Sequence, residues 1–147
     1  MLIIYHSQSG HSARLARWAL SGARQELPSV RLLRCVDAGS REVANSDGLL
    51  LVCAENSGRL AGGAKDFLDR IFYPLHTRGC CKPYALLISA GNDGQGAVAE
   101  AQRIFRGIPF TEALEPAIVR GVPEGDAAQL ARDLGQGVAA GLTLGIF

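Results

Sequence analysis

Two hydrophobic patterns take turns along this chain. Leu2-Ile3-Ile4-Tyr5, Val30 to Val36, Gly48-Leu49-Leu50-Leu51-Val52-Cys53 and Tyr84-Ala85-Leu86-Leu87-Ile88-Ser89 are short, largely apolar runs, with a weaker fifth at Ala117-Ile118-Val119-Arg120. Runs this short and apolar read as strands covered on both faces rather than as helices. Between them the period lengthens to three and four. Leu15, Ala16, Ala19, Ala23 and Leu27 form one helical stripe, and Ala64, Phe67, Leu68, Ile71, Phe72 and Leu75 form another with Pro74 near its end. Val98, Ala101, Ile104 and Phe105 predict a third helix. Ala127, Leu130, Ala131, Leu134 and Val138 predict a last one with Asp126 as its N-cap. Asp37 to Asn45 predicts a short helix, and the Gly-rich tail from Gly135 to Phe147 predicts loose packing.

Strands that alternate with helices imply right-handed crossovers and a parallel sheet with helices on both faces, a three-layer α/β sandwich. No linker, repeat or low-complexity segment divides residues 1–147, so a single domain is expected. Ligands of such sheets bind at the carboxyl ends of the strands, where strand order reverses. That rule directs attention to the loops after the first, third and fourth strands.

Composition narrows the function classes. Fifteen basic and fourteen acidic residues leave a formal charge of +1 with no Lys/Arg block, which argues against a nucleic-acid partner. Although 48% of residues are apolar, no stretch reaches the about 18 uncharged apolar residues of a membrane span. Met1 to Tyr5 passes into polar sequence without a signal-peptide core, so the expected compartment is the cytoplasm. Cys35, Cys53, Cys80 and Cys81 lack the spacing of a zinc or redox pair and are expected to be free thiols.

The first loop, Ser7-Gln8-Ser9-Gly10-His11-Ser12, carries three hydroxyls and a glycine immediately before a predicted helix. A helix N-terminus presents unpaired N–H groups and partial positive charge, which suits a phosphate. Ser9 or Ser12 as an ordinary N-cap is the alternative. The position between a buried first strand and the first helix favours the anion site.

At these residues the chain resembles the flavodoxin-like superfamily, whose phosphate loop reads Ser/Thr-x-Ser/Thr-Gly-x-Ser/Thr. The resemblance continues through Asp47 to Val52, through Leu60 to Arg70 and through Lys82 to Gly91, covering most of residues 1–108. It implies a flavodoxin-like five-stranded parallel sheet in the order 2-1-3-4-5, with FMN as cofactor and its phosphate on residues 7–12. The flavin ring would then lie between Ala54-Glu55-Asn56-Ser57-Gly58-Arg59 and Ala90-Gly91-Asn92-Asp93-Gly94-Gln95-Gly96. Neither loop carries an aromatic residue, whereas relatives often stack one on the ring for on the order of 1 kcal/mol. The bare loops imply weak FMN binding, or an open ring face on which a nicotinamide or quinone can stack. Arg59 would stabilise a reduced, anionic ring, or else extend into water or pair with Glu55.

Other constellations have less support. Cys35 to Arg41 has the Cys-x5-Arg spacing of a cysteine phosphatase, but it follows the second strand and contains Asp37. His6, His11 and His76 have no acidic partners at metal-ligand spacing. His76 reads as the closing residue of a helix. Asp66 and Arg70 read as an i, i+4 pair on a solvated face.

Cys80-Cys81 in its basic loop reads as an ordinary loop. The function that the resemblance implies is an FMN-binding oxidoreductase passing electrons from NAD(P)H to a quinone, a flavin or another acceptor. A one-electron flavodoxin carrier and a flavin-free binding module are the alternatives.

Overall fold

The computed structural model describes residues 1–147. Strand β1 (Leu2–Tyr5) lies between β2 (Arg31–Arg34) and β3 (Leu49–Asn56), both parallel to it. Strand β5 (Pro83–Ala90) pairs with the other side of β3, also in parallel. Its far edge carries two short strands, β6 (Thr111–Glu112) and β7 (Ala117–Arg120). Helices α1 (His11–Glu26), α2 (Ser40–Ala44), α3 (Gly62–His76), α4 (Gln95–Gly107) and α5 (Asp126–Leu144) complete the chain. No helix is long and apolar enough to cross a membrane.

The apolar runs form central strands because both of their faces are covered. Leu2, Ile4, Leu49, Leu51 and Cys53 point into a core shared with Phe67, Leu68 and Ile71 of α3 and Phe105 of α4. Ile3, Leu50 and Val52 point the other way, against Leu15, Ala16 and Ala19 of α1 and Leu134 and Val138 of α5. Each such Leu or Ile stabilises the fold by about 1.5–3 kcal/mol through burial. The edge strand β2 instead exposes Arg31 and Arg34 at its ends, a charged border that discourages further pairing.

The sheet departs from the expected simple order in two places. Its fifth position is split: Thr111 and Glu112 pair with Pro83 and Tyr84, and pairing resumes only where Ala117 meets Leu87. Four residues, Ala113 to Pro116, thus stand opposite Ala85 and Leu86. Pro116 has no N–H to donate and interrupts the ladder. Counted by pairing, the path is β2-β1-β3-β5-β6, with β7 also on β5.

The second departure is β4 (Arg59–Leu60), which folds back antiparallel on β3 with Glu55 opposite Leu60 and Asn56 opposite Arg59. The expected loop from Ala54 to Arg59 is therefore a hairpin, and the sheet is not purely parallel. Its two-residue turn has φ of 51° at Ser57 and 74° at Gly58, the positive pair that lets a tight turn follow the twist of the strands.

The tail also differs from expectation. Helix α5 continues to Leu144, with Gly135 and Gly141 buried. Its glycines serve close packing: a Cβ on Gly135 would lie 2.1 Å from the Ala19 carbonyl oxygen, and one on Gly22 would lie 2.0 Å from that of Arg132. The N-cap of α5 is Gly125, one residue before Asp126.

Candidate functional site

The first loop forms an open cradle ahead of α1. Gly10 adopts φ 94° and caps α1, whose N-terminus has no side-chain cap. The Gly10 N–H donates to Ser7 Oγ at 3.1 Å. The first helical bond runs from the Arg14 N–H to the Gly10 carbonyl, leaving the amides of His11, Ser12 and Ala13 without an acceptor in the chain. Three free amides at the positive end of a 16-residue helix match what an anionic phosphate needs. Ser12 is buried at this end, while Ser9 and Gly10 are exposed.

Beside the cradle opens a cleft of ≈ 290 Å³, near the lower end of the range for ligand sites, roughly 300–1,000 Å³. Ser9 and His11 form one side, Ala54, Glu55 and Asn56 of β3 a second, and Ala90 and Gly91 a third. The Asn56 side-chain amide donates to Gln8 Oε1 at 3.0 Å, tying the cradle to the hairpin. Residues from all three anticipated loops thus meet in one place.

Ser89, Gly121 and Val122 also line this cleft and were not anticipated. Ser89 was legible as the one small polar residue ending an otherwise apolar strand. Gly121-Val122 follows the weakest strand of the sequence, whose carboxyl end the general rule for such sheets also selects.

The remaining anticipated residues lie around the cleft rather than in its lining. Ser57 and Gly58 form the hairpin tip, against which α4 packs so closely that a Cβ on Gly96 would lie 1.9 Å from the Gly58 carbonyl oxygen. The Leu60 N–H donates to the Glu100 carboxylate at 3.0 Å, fastening the same hairpin to α4. Asn92 and Asp93 form an exposed turn in which Asp93 Oδ1 accepts the Gln95 N–H at 3.0 Å. Gly94 caps α4 with φ 75°. Arg59 makes no ion pair with Glu55; it lines a separate groove with Gly96, Glu100, Arg103 and Arg106. Ser7 lines a third recess, with Tyr5, His6, Arg34, Cys35 and Val36.

Cys35 and Cys53 are buried in the core, whereas Cys80 is half-buried and Cys81 exposed. Burial pushes the Cys35 thiol up to about 12, with a smaller opposing effect from Arg70, and raises that of Cys53 as well. A nucleophilic cysteine needs access and the opposite shift, and Cys35 is fully buried, so the structure gives the Cys35–Arg41 phosphatase spacing no support. Arg70 pairs with Asp66 at 2.8 Å and also donates to the carbonyls of Ala38 and Cys35, so it braces the β2–α2 connection beyond its solvated face. His6 rests against Gly63, where a Cβ would meet its ring at 2.3 Å. His76 ends α3 and lies 3.0 Å from the Gly107 carbonyl oxygen.

No protein-family model and no curated protein sequence matches the chain. Solved structures do match. A rubredoxin oxygen:oxidoreductase from the anaerobe Desulfovibrio gigas superposes with a TM-score of 0.84 at 17% identity, over 99% of this chain and 36% of that one. A flavodoxin, WrbA-like protein from Agrobacterium tumefaciens gives 0.82 at 15% identity over 97% and 96% of the two chains. The two-electron reduced flavodoxin of Megasphaera elsdenii gives 0.78 at 22% identity over 95% and 98%. The chain therefore has the flavodoxin-like fold.

Proposed function

We propose that this chain binds FMN and works as an NAD(P)H-dependent oxidoreductase. The observation that carries the reading is the cradle: the amides of His11, Ser12 and Ala13 lack acceptors beside a cleft built from the ends of β3 and β5. A phosphate held there gains several charge-assisted hydrogen bonds, each stronger than a neutral one. Ser9 and Ser12 add hydroxyl donors, and Gly10 allows the backbone to turn around the oxygens. The donor set is neutral apart from the helix dipole.

The residues present fit the group. Ala54 to Asn56 and Ala90-Gly91 would flank the ring, offering small side chains and strand-end backbone groups to its polar edge. When bound, FMN supplies hydride acceptance from a nicotinamide and onward transfer to a quinone, a flavin or another acceptor. The chain's own contribution is to position the group and to leave one face open. No Phe, Tyr or Trp lines the cleft, so a planar nicotinamide or quinone has room to stack.

Two measurements test this reading. FMN is titrated into the purified protein, and NADPH and NADH oxidation is then followed with a quinone acceptor. Uptake of FMN at micromolar concentration with turnover of either nucleotide is the expected result. Uptake without turnover identifies a one-electron carrier, and absence of uptake overturns the flavin reading.

A further inference from the structure

On the far side of the β3–β4 hairpin lies a second groove, of ≈ 320 Å³, lined by Arg59, Gly96, Ala99, Glu100, Arg103 and Arg106. Gly96, Ala99, Glu100, Arg103 and Arg106 follow one another along α4 at steps of three, one, three and three residues and so form a single stripe about 15 Å long. Arg59 approaches from β4 and forms the opposite wall. All three arginines are exposed. The four salt bridges of the protein lie elsewhere, at Met1–Asp47, Arg34–Asp37, Lys65–Asp69 and Arg70–Asp66.

The carboxylates nearest the groove already have partners. Glu100 accepts the Leu60 N–H, and Glu112 accepts the Tyr84 hydroxyl at 3.1 Å and the Gln102 amide at 2.8 Å. Three guanidinium groups and one carboxylate, that of Glu100, therefore line one concave space, in which positive charge is in excess and none of the three arginines is held in a salt bridge. Exposed Ala99 also lines it, and its small side chain puts no bulky group between Arg59 and the α4 arginines. The candidate cleft and this groove share a wall, because Asn56 lines the cleft, Arg59 lines the groove, and the two are cross-strand neighbours.

We propose that this groove holds the phosphate-bearing end of the nicotinamide dinucleotide and selects the form carrying a 2′-phosphate. The proposal rests on the oxidoreductase reading above and assigns that reading its reductant. Guanidinium forks match phosphate oxygens in planar, paired contacts. The volume suits a nucleotide's phosphates. A dinucleotide whose nicotinamide enters the cleft would cross the hairpin tip to bring its adenosine phosphate to Arg103 and Arg106.

The probe is adenosine 2′,5′-bisphosphate, titrated calorimetrically against the full chain, with adenosine 5′-monophosphate as the comparison. The bisphosphate is expected to bind at least about ten-fold more tightly than the monophosphate, and more weakly as salt rises. Arg103→Ala and Arg106→Ala, both on exposed positions, should each weaken it about ten-fold while FMN uptake stays as in the parent. In turnover, these variants should lower the preference for NADPH over NADH through KM rather than kcat.

Equal binding of the two probes, or variants that bind the bisphosphate like the parent, overturns the proposal. Binding of polyglutamate without binding of the bisphosphate also overturns it and assigns the groove to an acidic protein. FMN uptake with no bisphosphate binding removes the groove alone. Bisphosphate binding with no FMN uptake removes the flavin reading and leaves the groove as a phosphate site.

Discussion

Gly96→Ala is the substitution that probes most sharply how the hairpin is held beside the cleft. Gly96 lies in the first turn of α4, and its missing Cβ would stand 1.9 Å from the Gly58 carbonyl oxygen and 2.9 Å from that carbonyl's carbon. A backbone oxygen has no rotamer by which to escape. To reach an ordinary carbon-to-oxygen approach of about 3.3 Å, the hairpin tip has to lift by about 1.4 Å. That motion pulls on the Leu60–Glu100 bond at 3.0 Å and on the Asn56–Gln8 bond at 3.0 Å.

Overpacking of this kind costs about 1–3 kcal/mol, and the better helix propensity of Ala returns up to about 1 kcal/mol. The net expectation is a loss of about 1–2 kcal/mol, or a melting temperature lower by about 2–8 °C for a domain of this size. Because Glu55 and Asn56 form a wall of the cleft, FMN affinity should fall as well. Gly62→Ala is the control: it sits at the start of α3 with no atom within 4 Å of its would-be Cβ, so it should be neutral or slightly stabilising. Thermal and urea unfolding with FMN titration on both variants decides the matter. A Gly96→Ala protein that melts with the parent and binds FMN equally would refute the reasoning.

Gly135→Ala places a methyl group 2.1 Å from the Ala19 carbonyl oxygen at the α1–α5 contact and should destabilise by about 2 kcal/mol; urea midpoints at constant slope check it. Thiol labelling at pH 8 should modify exposed Cys81 and part-exposed Cys80 first, while Cys35 and Cys53 react only on unfolding because both are buried. Rapid labelling of all four thiols in the native protein would contradict their placement. Glu42 accepts the Gly39 N–H at 2.9 Å at the start of α2. Hydrogen bonds from its own and the Gly39 backbone amide hold its carboxyl below the usual range. Its stabilising effect is thus complete above the unfolded carboxylate pKa of ~4.3 and disappears as pH falls through the lower folded value. Glu42→Gln should cost about 0.5 kcal/mol at pH 7 and nothing in strong acid; a difference that persists unchanged in strong acid would show that the charge is not the cause.

Strand and helix positions were legible wherever a buried stripe carried the signal. Leu2 to Tyr5 and Leu49 to Cys53 read as strands because both of their faces meet helices, and Phe67, Leu68 and Ile71 read as a helix because they form one apolar side. Turn chemistry misled at Glu55-Asn56-Ser57-Gly58. These residues favour loops in isolation, yet here β3 continues to Asn56 and the loop is reduced to two residues. The glycines of the tail misled for a different reason. Their local freedom suggested looseness, whereas Gly135 and Gly22 let two helix backbones approach, a tertiary fact with no local trace. The Ser7 to Ser12 cradle was legible because a motif and a topological position coincided. The basic groove was not, since Arg59 and Arg103 lie 44 positions apart in the sequence and meet only because β4 packs on α4.

The central claim is that the N-terminus of α1 holds the phosphate of FMN. Parallel titrations of FMN and riboflavin, which differ by that phosphate alone, test it most directly. The free amides of His11, Ser12 and Ala13 predict that FMN binds and that riboflavin binds at least about 100-fold more weakly. Equal affinity for the two, or no binding of FMN, would contradict the account.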